Sequence, residues 1–127
     1  MSAASGSEIS VDSIRRIVKF RLWGLWEPEH VREFCEGIRI AIGKLGRGPF
    51  CVFADISQYP AQRPEINKEI QESMTQAVKA GMVKAAHVVN GAMTEMQVKR
   101  LAKEVNAPNF RFFKTEKEAS AWLAEKS

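Results

Sequence analysis

The chain has 127 residues, 45% of them hydrophobic and 27% charged, which fits one globular domain and excludes disordered, collagen-like and coiled-coil classes. Its net charge of +4 is spread evenly, with nine basic and seven acidic side chains in residues 1–64 and ten and eight in residues 65–127. Phosphate binding by counterion release needs a concentrated cationic face, and the nearest approach to one is Arg15, Arg16, Lys19 and Arg21, so nucleic acid is not an expected partner.

Residues 1–8 are small and polar, with neither the apolar core of a signal peptide nor the length of a membrane span. They are expected to form a loose tail ahead of a single domain over 9–127. From Ile9 onward strand-like and helix-like segments alternate, the pattern of an α/β domain. Residues 9–11 form at most a short hairpin arm, with turn chemistry from Asp12 and Ser13. Residues 16–23 read as a half-exposed strand, with Val18, Phe20 and Leu22 on one face and Lys19 and Arg21 on the other.

Pro28 suits a first helical position, and Val31, Phe34, Ile38, Ala41, Ile42 and Leu45 recur at helical spacing until Gly46 and Gly48 intervene. The continuous apolar run over 50–56 predicts a central parallel strand covered on both faces. Pro64 opens a second helix with its apolar stripe on Ile66, Ile70, Met74, Ala77 and Val78, and Gly81 closes it. Another buried strand follows over 83–89. Thr94 with Gln97 predicts a capping box for the third helix, and Met93 with Val98 the staple around it. A fourth strand spans 110–113, after which Thr115 and Glu118 cap a helix burying Ala119, Trp122 and Leu123. Strands joined through helices run parallel with right-handed crossovers. The expected architecture is therefore a mixed, mostly parallel sheet of about five strands with four helices. In such sheets ligands are met at the carboxyl ends of the strands.

Several local motifs carry a resemblance over nearly the whole chain. They are the strand ending in Trp23-Gly24, Gly48-Pro-Phe-Cys-Val-Phe-Ala-Asp-Ile-Ser57, Ala85-Ala-His-Val-Val89, and Phe110-Arg-Phe-Phe113 followed by Glu118-Ala-Ser-Ala-Trp-Leu123. In these the chain resembles the SpoIIAA-like proteins of the STAS (sulfate transporter and anti-sigma factor antagonist) fold group. The resemblance implies a small mixed sheet packed by helices, usually without enzymatic activity, that works through protein contacts or a small apolar ligand. Anti-sigma antagonist relatives are switched by phosphorylation of a Ser at the start of the helix after the central strand. Here the junction reads Tyr59-Pro-Ala-Gln-Arg-Pro-Glu65, without Ser or Thr at the helix start, so that role passes to no residue, Ser57 included.

Candidate sites follow from this topology. Trp26, Tyr59 and Met93 each fall in a loop after a parallel strand, with Met96 close behind, so they are expected to gather into an apolar rim edged by Gln62, Arg63 and Asn90. Such a rim suits a protein partner or self-association, or these side chains turn inward and cap the core. The rival expectation is a carrier of a small apolar or lipid-like molecule, its cavity lined by Met74, Met93 and Met96. A second rival is an enzyme using Asp55 and His87. Against it stand a structural Asp55 bonded to loop N–H groups near Ser57 and a core His87 tied to a backbone carbonyl. His30 reads as solvated. Cys35 and Cys51 lack metal-ligand or disulfide spacing, which points to a reducing, cytoplasmic setting. Neither a metal nor a cofactor is expected.

Overall fold

The computed structural model describes residues 4–125. In chain order the elements are β1 (Gly6–Asp12), β2 (Ile17–Trp23), α1 (Pro28–Leu45), β3 (Phe50–Gln58), α2 (Pro64–Ala80), β4 (Met82–Val88), α3 (Ala92–Glu104), β5 (Phe110–Phe113) and α4 (Glu116–Ala124). The strands form one sheet in sequence order, with β1 antiparallel to β2 and every later neighbour parallel. Because each crossover steps the same way along the sheet and is right-handed, α1, α2 and α3 share one face. The last helix is not a crossover. It covers the other face, where Ala119 and Trp122 pack on Phe53, Ala86 and Val88. No described helix is long and apolar enough to cross a membrane.

The hairpin arm is longer than its sequence suggested. All seven residues of β1 pair with β2, from Gly6 opposite Trp23 to Asp12 opposite Ile17. Residues 6–8, expected in the tail, are thus its first rungs: ladder hydrogen bonds hold a polar segment that has little apolar pattern to announce it. Residues 1–3 of that tail, and residues 126–127, lie outside the described range.

At the amino end of the parallel strands the hairpin turn closes through Asp12 Oδ1, which accepts from the Arg15 N–H at 3.0 Å. Next to it Arg16 sits in the left-handed region at φ 58°. Its guanidinium donates to the carbonyl of Leu45 at the end of α1 and to those of Gly46, Arg47, Gly48 and Pro49 in the loop that follows. The α2–β4 turn is tighter. Gly81 has φ 119°, and a Cβ there would stand 2.9 Å from the Gly48 carbonyl oxygen.

Helix caps divide into local and tertiary kinds. Thr115 caps α4 as its spacing predicts, accepting from the Glu118 N–H at 3.2 Å. The α3 expectation fails: that helix begins after Gly91 with no side-chain cap. Thr94 instead donates to the Tyr59 carbonyl at 2.8 Å, and Gln97 exchanges two hydrogen bonds with the Gln62 backbone.

Candidate functional site

The carboxyl edge of the sheet does bring the expected loops together, but as a closed surface. Trp26 and Tyr59 meet edge to face with ring centroids 5.3 Å apart, yet they are 1% and 5% exposed. The indole N–H donates to the Trp23 carbonyl at 3.1 Å, and its ring also meets Phe34. Gln62, expected at a polar rim, is 6% exposed and knits the loops. Its Oε1 accepts from the Trp26 N–H at 2.8 Å, and its Nε2 donates to the Gly24 and Pro60 carbonyls. With both amide N–H groups and the carbonyl oxygen paired, it ties down the loop that carries Trp26. The apolar rim built on Trp26 and Tyr59 is therefore absent.

What stays outside is scattered. Met93 and Met96 are 74% and 70% exposed, and with Lys99, Arg100 and Lys103 they line a groove on the outer side of α3. Asn90 is exposed. Arg63 is half-exposed, donating to the Trp26 carbonyl and pairing with Glu27 at 3.2 Å. Three of the four basic residues near β2 are committed locally. Arg16 serves the turn described above, Lys19 lies over the Phe53 ring at 5.6 Å, and Arg21 pairs with Glu8 and covers Trp23.

Asp55 and His87 do not share a cleft. Side chains alternate along a strand, and since Ala54 and Ile56 face α1–α3, Asp55 faces the α4 side. Its Oδ1 accepts from the Ser57 N–H at 3.1 Å and from the Ser57 hydroxyl at 2.6 Å, an Asx-type turn at the strand end. His87 points to the opposite face, stacked on Phe112 at 5.0 Å. No pairing of these two groups for acid–base work is possible in this arrangement. Nor is His30 simply solvated, since its Nδ1 accepts from the Glu27 N–H at 2.9 Å. Both cysteines are free, and burial pushes both thiols up, away from nucleophilic behaviour. Among the described residues no group of three or more His, Cys, Asp or Glu is placed to hold a metal ion.

The feature that sequence reasoning did not locate lies between the sheet and α1–α3. A slot there leaves about 80 Å³ for the centres of water-sized molecules, where one water needs ~10–15 Å³. Its walls come from the inward faces of β2, β3, β4 and β5 and the apolar stripes of the three helices. Ala54, Ala77, Ala85, Ala102 and Ala107 supply the room. Met74 lines it as the carrier expectation required, whereas Met93 and Met96 do not. No charged side chain lines it; its polar members are Ser73, Tyr59 and His87. Ile38, Ile42 and Ser73 also border the groove between α1 and α2, so these three side chains stand between slot and solvent.

Two polar atoms at this slot lack partners. The Tyr59 hydroxyl and the His87 Nδ1 are buried without a hydrogen bond. Burial pushes the phenol well above its usual range, the nearby Cys35 adding to the effect. It lowers the imidazole to about 4, a backbone hydrogen bond with Arg111 opposing more weakly. Both groups are thus neutral near pH 7.

No protein-family model matches the chain, and comparison with curated proteins finds no match. Among solved structures, the chain is similar to an uncharacterized protein of the DUF3478 family from Shewanella loihica PV-4, described as having a SpoIIAA-like fold. The two are 16% identical, with a TM-score of 0.75 over 98% of each chain. That likeness over nearly the whole chain, with the five-stranded mixed sheet and four helices described above, gives this chain a SpoIIAA-like fold.

Proposed function

We propose that this protein is a non-catalytic binding module that holds a small apolar molecule in the slot between its sheet and α1–α3, and that it works in the cytoplasm. One observation carries the reading: an apolar-lined space of about 80 Å³ with no charged side chain in its lining. Native interiors rarely leave voids larger than a water, and apolar-lined space of this size takes apolar guests. The SpoIIAA-like fold is compatible with a binding or regulatory role. The cytoplasmic assignment is supported by the free thiols of Cys35 and Cys51. Titration of the ¹³C-methyl spectrum with toluene tests the reading. Saturable shifts at Ala54, Ala85 and Ala102 are expected, and shifts confined to Met93 and Met96 would overturn it.

A second reading, recognition of a protein partner or a second copy, is favoured by the exposed Met93 and Met96 beside the α3 cations. Sedimentation velocity over a concentration series checks it for self-association. The wild type is expected to associate and the Met93→Ser, Met96→Ser double variant to remain monomeric; a wild type monomeric throughout removes self-association.

A further inference from the structure

We propose that the slot selects an uncharged apolar molecule bearing one hydroxyl group, seated with that hydroxyl at the polar part of the wall that Tyr59 and His87 supply. The proposal rests on the slot being a ligand site, as argued above, and adds the chemistry of what fills it.

The first ground is where the unpartnered atoms lie. Among the described residues the buried side-chain N and O atoms without a partner are the Tyr59 hydroxyl and the His87 Nδ1, and both residues line the one slot. The neighbouring polar groups are not in that condition. Gln62, Thr94 and Gln97 all make hydrogen bonds between the carboxyl-edge loops and α3. A buried polar atom left unpaired costs about 1–3 kcal/mol, so two at the wall of an otherwise apolar space mark a place where a partner is due.

The second ground is charge. Neither Tyr59 nor His87 is ionised near pH 7, and no Lys, Arg, Asp or Glu lines the slot. A carboxylate or ammonium head would enter without a counter-charge, at a desolvation cost the site does not offset. The third is donor and acceptor chemistry. The backbone hydrogen bond with Arg111 raises the imidazole pKa, the direction of a ring N–H given to a carbonyl. A neutral imidazole holds one N–H and one acceptor nitrogen, so the unpartnered Nδ1 can take either part toward a hydroxyl. The phenol both donates and accepts. A ligand hydroxyl matches either, giving its proton to Nδ1 or accepting one from Tyr59.

Three probes of similar size test this by calorimetry or methyl NMR: toluene, its hydroxyl counterpart phenol, and benzoate. A purely apolar site takes phenol about tenfold less well than toluene, because the hydroxyl loses its water. This slot is expected to bind phenol at least as tightly as toluene and to leave benzoate in solution. Tyr59→Phe, which removes only the unpartnered oxygen, is expected to weaken phenol about tenfold and to change toluene by less than twofold; His87→Phe should act in the same direction. Toluene binding with phenol about tenfold weaker in the wild type, or unequal affinities unmoved by Tyr59→Phe, would overturn the hydroxyl proposal while leaving the apolar slot intact. Equal losses for both probes in a folded Tyr59→Phe variant would also overturn it. Absence of toluene and phenol binding alike would remove the slot reading itself.

Discussion

His87 shows how one residue's position converts to a measurable property of the whole chain. It stands on β4 in an apolar run, where a neutral ring is tolerated and a charged one is not. Burial, opposed more weakly by the Arg111 backbone hydrogen bond, lowers its pKa from 6.5 to about 4. Well above pH 6.5 the ring is uncharged in both folded and unfolded chains, and it contributes no slope. As pH falls toward 4 the unfolded chain takes up the proton and the folded chain does not, so stability declines across that window. A tenfold difference in proton affinity between the two states is worth about 1.4 kcal/mol, so the loss from this group approaches about 3 kcal/mol at pH 4. Carboxylates that titrate below pH 5 act on wild type and variant alike, so the difference isolates the ring. Urea denaturation from pH 7 to 4 is expected to show a steeper fall for wild type than for His87→Phe; parallel curves would mean that the ring is protonated in the fold.

Among the elements, α2 was legible from its ends alone, because a first-turn Pro64 and a left-handed Gly81 are local requirements of the backbone. The start of α3 was not. Thr94 and Gln97 have the spacing of a capping box, but a hydroxyl and an amide bond whichever acceptor is nearest, and folding brings up the Tyr59 carbonyl and the Gln62 backbone. Local pattern contains no information about acceptors more than thirty residues distant in the chain. The same limit misplaced Trp26 and Tyr59. Loop positions put them at the edge, while the Gln62 bond to Trp26, the Thr94 bond to Tyr59 and edge-to-face packing hold them inside. These elements should therefore respond differently to truncation. Gln62→Ala strands the Trp26 N–H and the Gly24 and Pro60 carbonyls and is expected to cost about 2–3 kcal/mol. Thr115→Ala, an exposed cap, is expected to cost ~1 kcal/mol. Guanidinium denaturation of both variants gives the ordering, and a Gln62→Ala loss no larger than that of Thr115→Ala would show that the edge network contributes little.

At the scale of the whole molecule the fold was readable and its interior space was not, for one physical reason. Periodicity reports which face of each strand or helix is apolar, which is sufficient to assemble five strands and four helices. A void is a difference between layers, set by how far α1–α3 stand from the sheet and by which small residues come opposite one another. Ala54, Ala85 and Ala102 are visible in the sequence, but only the strand registers and the crossover bring them to one slot. If the space is kept for a ligand, it is kept at the expense of stability, because filling a cavity restores dispersion contacts. Ala102→Leu, on the α3 wall of the slot, adds side-chain volume where the structure leaves room. It is expected to raise stability by about 1 kcal/mol while abolishing toluene uptake in the methyl titration. A destabilised variant would instead mean that the sheet and helices already close on one another at Ala102, and a stable variant that still takes up toluene would mean that the guest sits outside the slot.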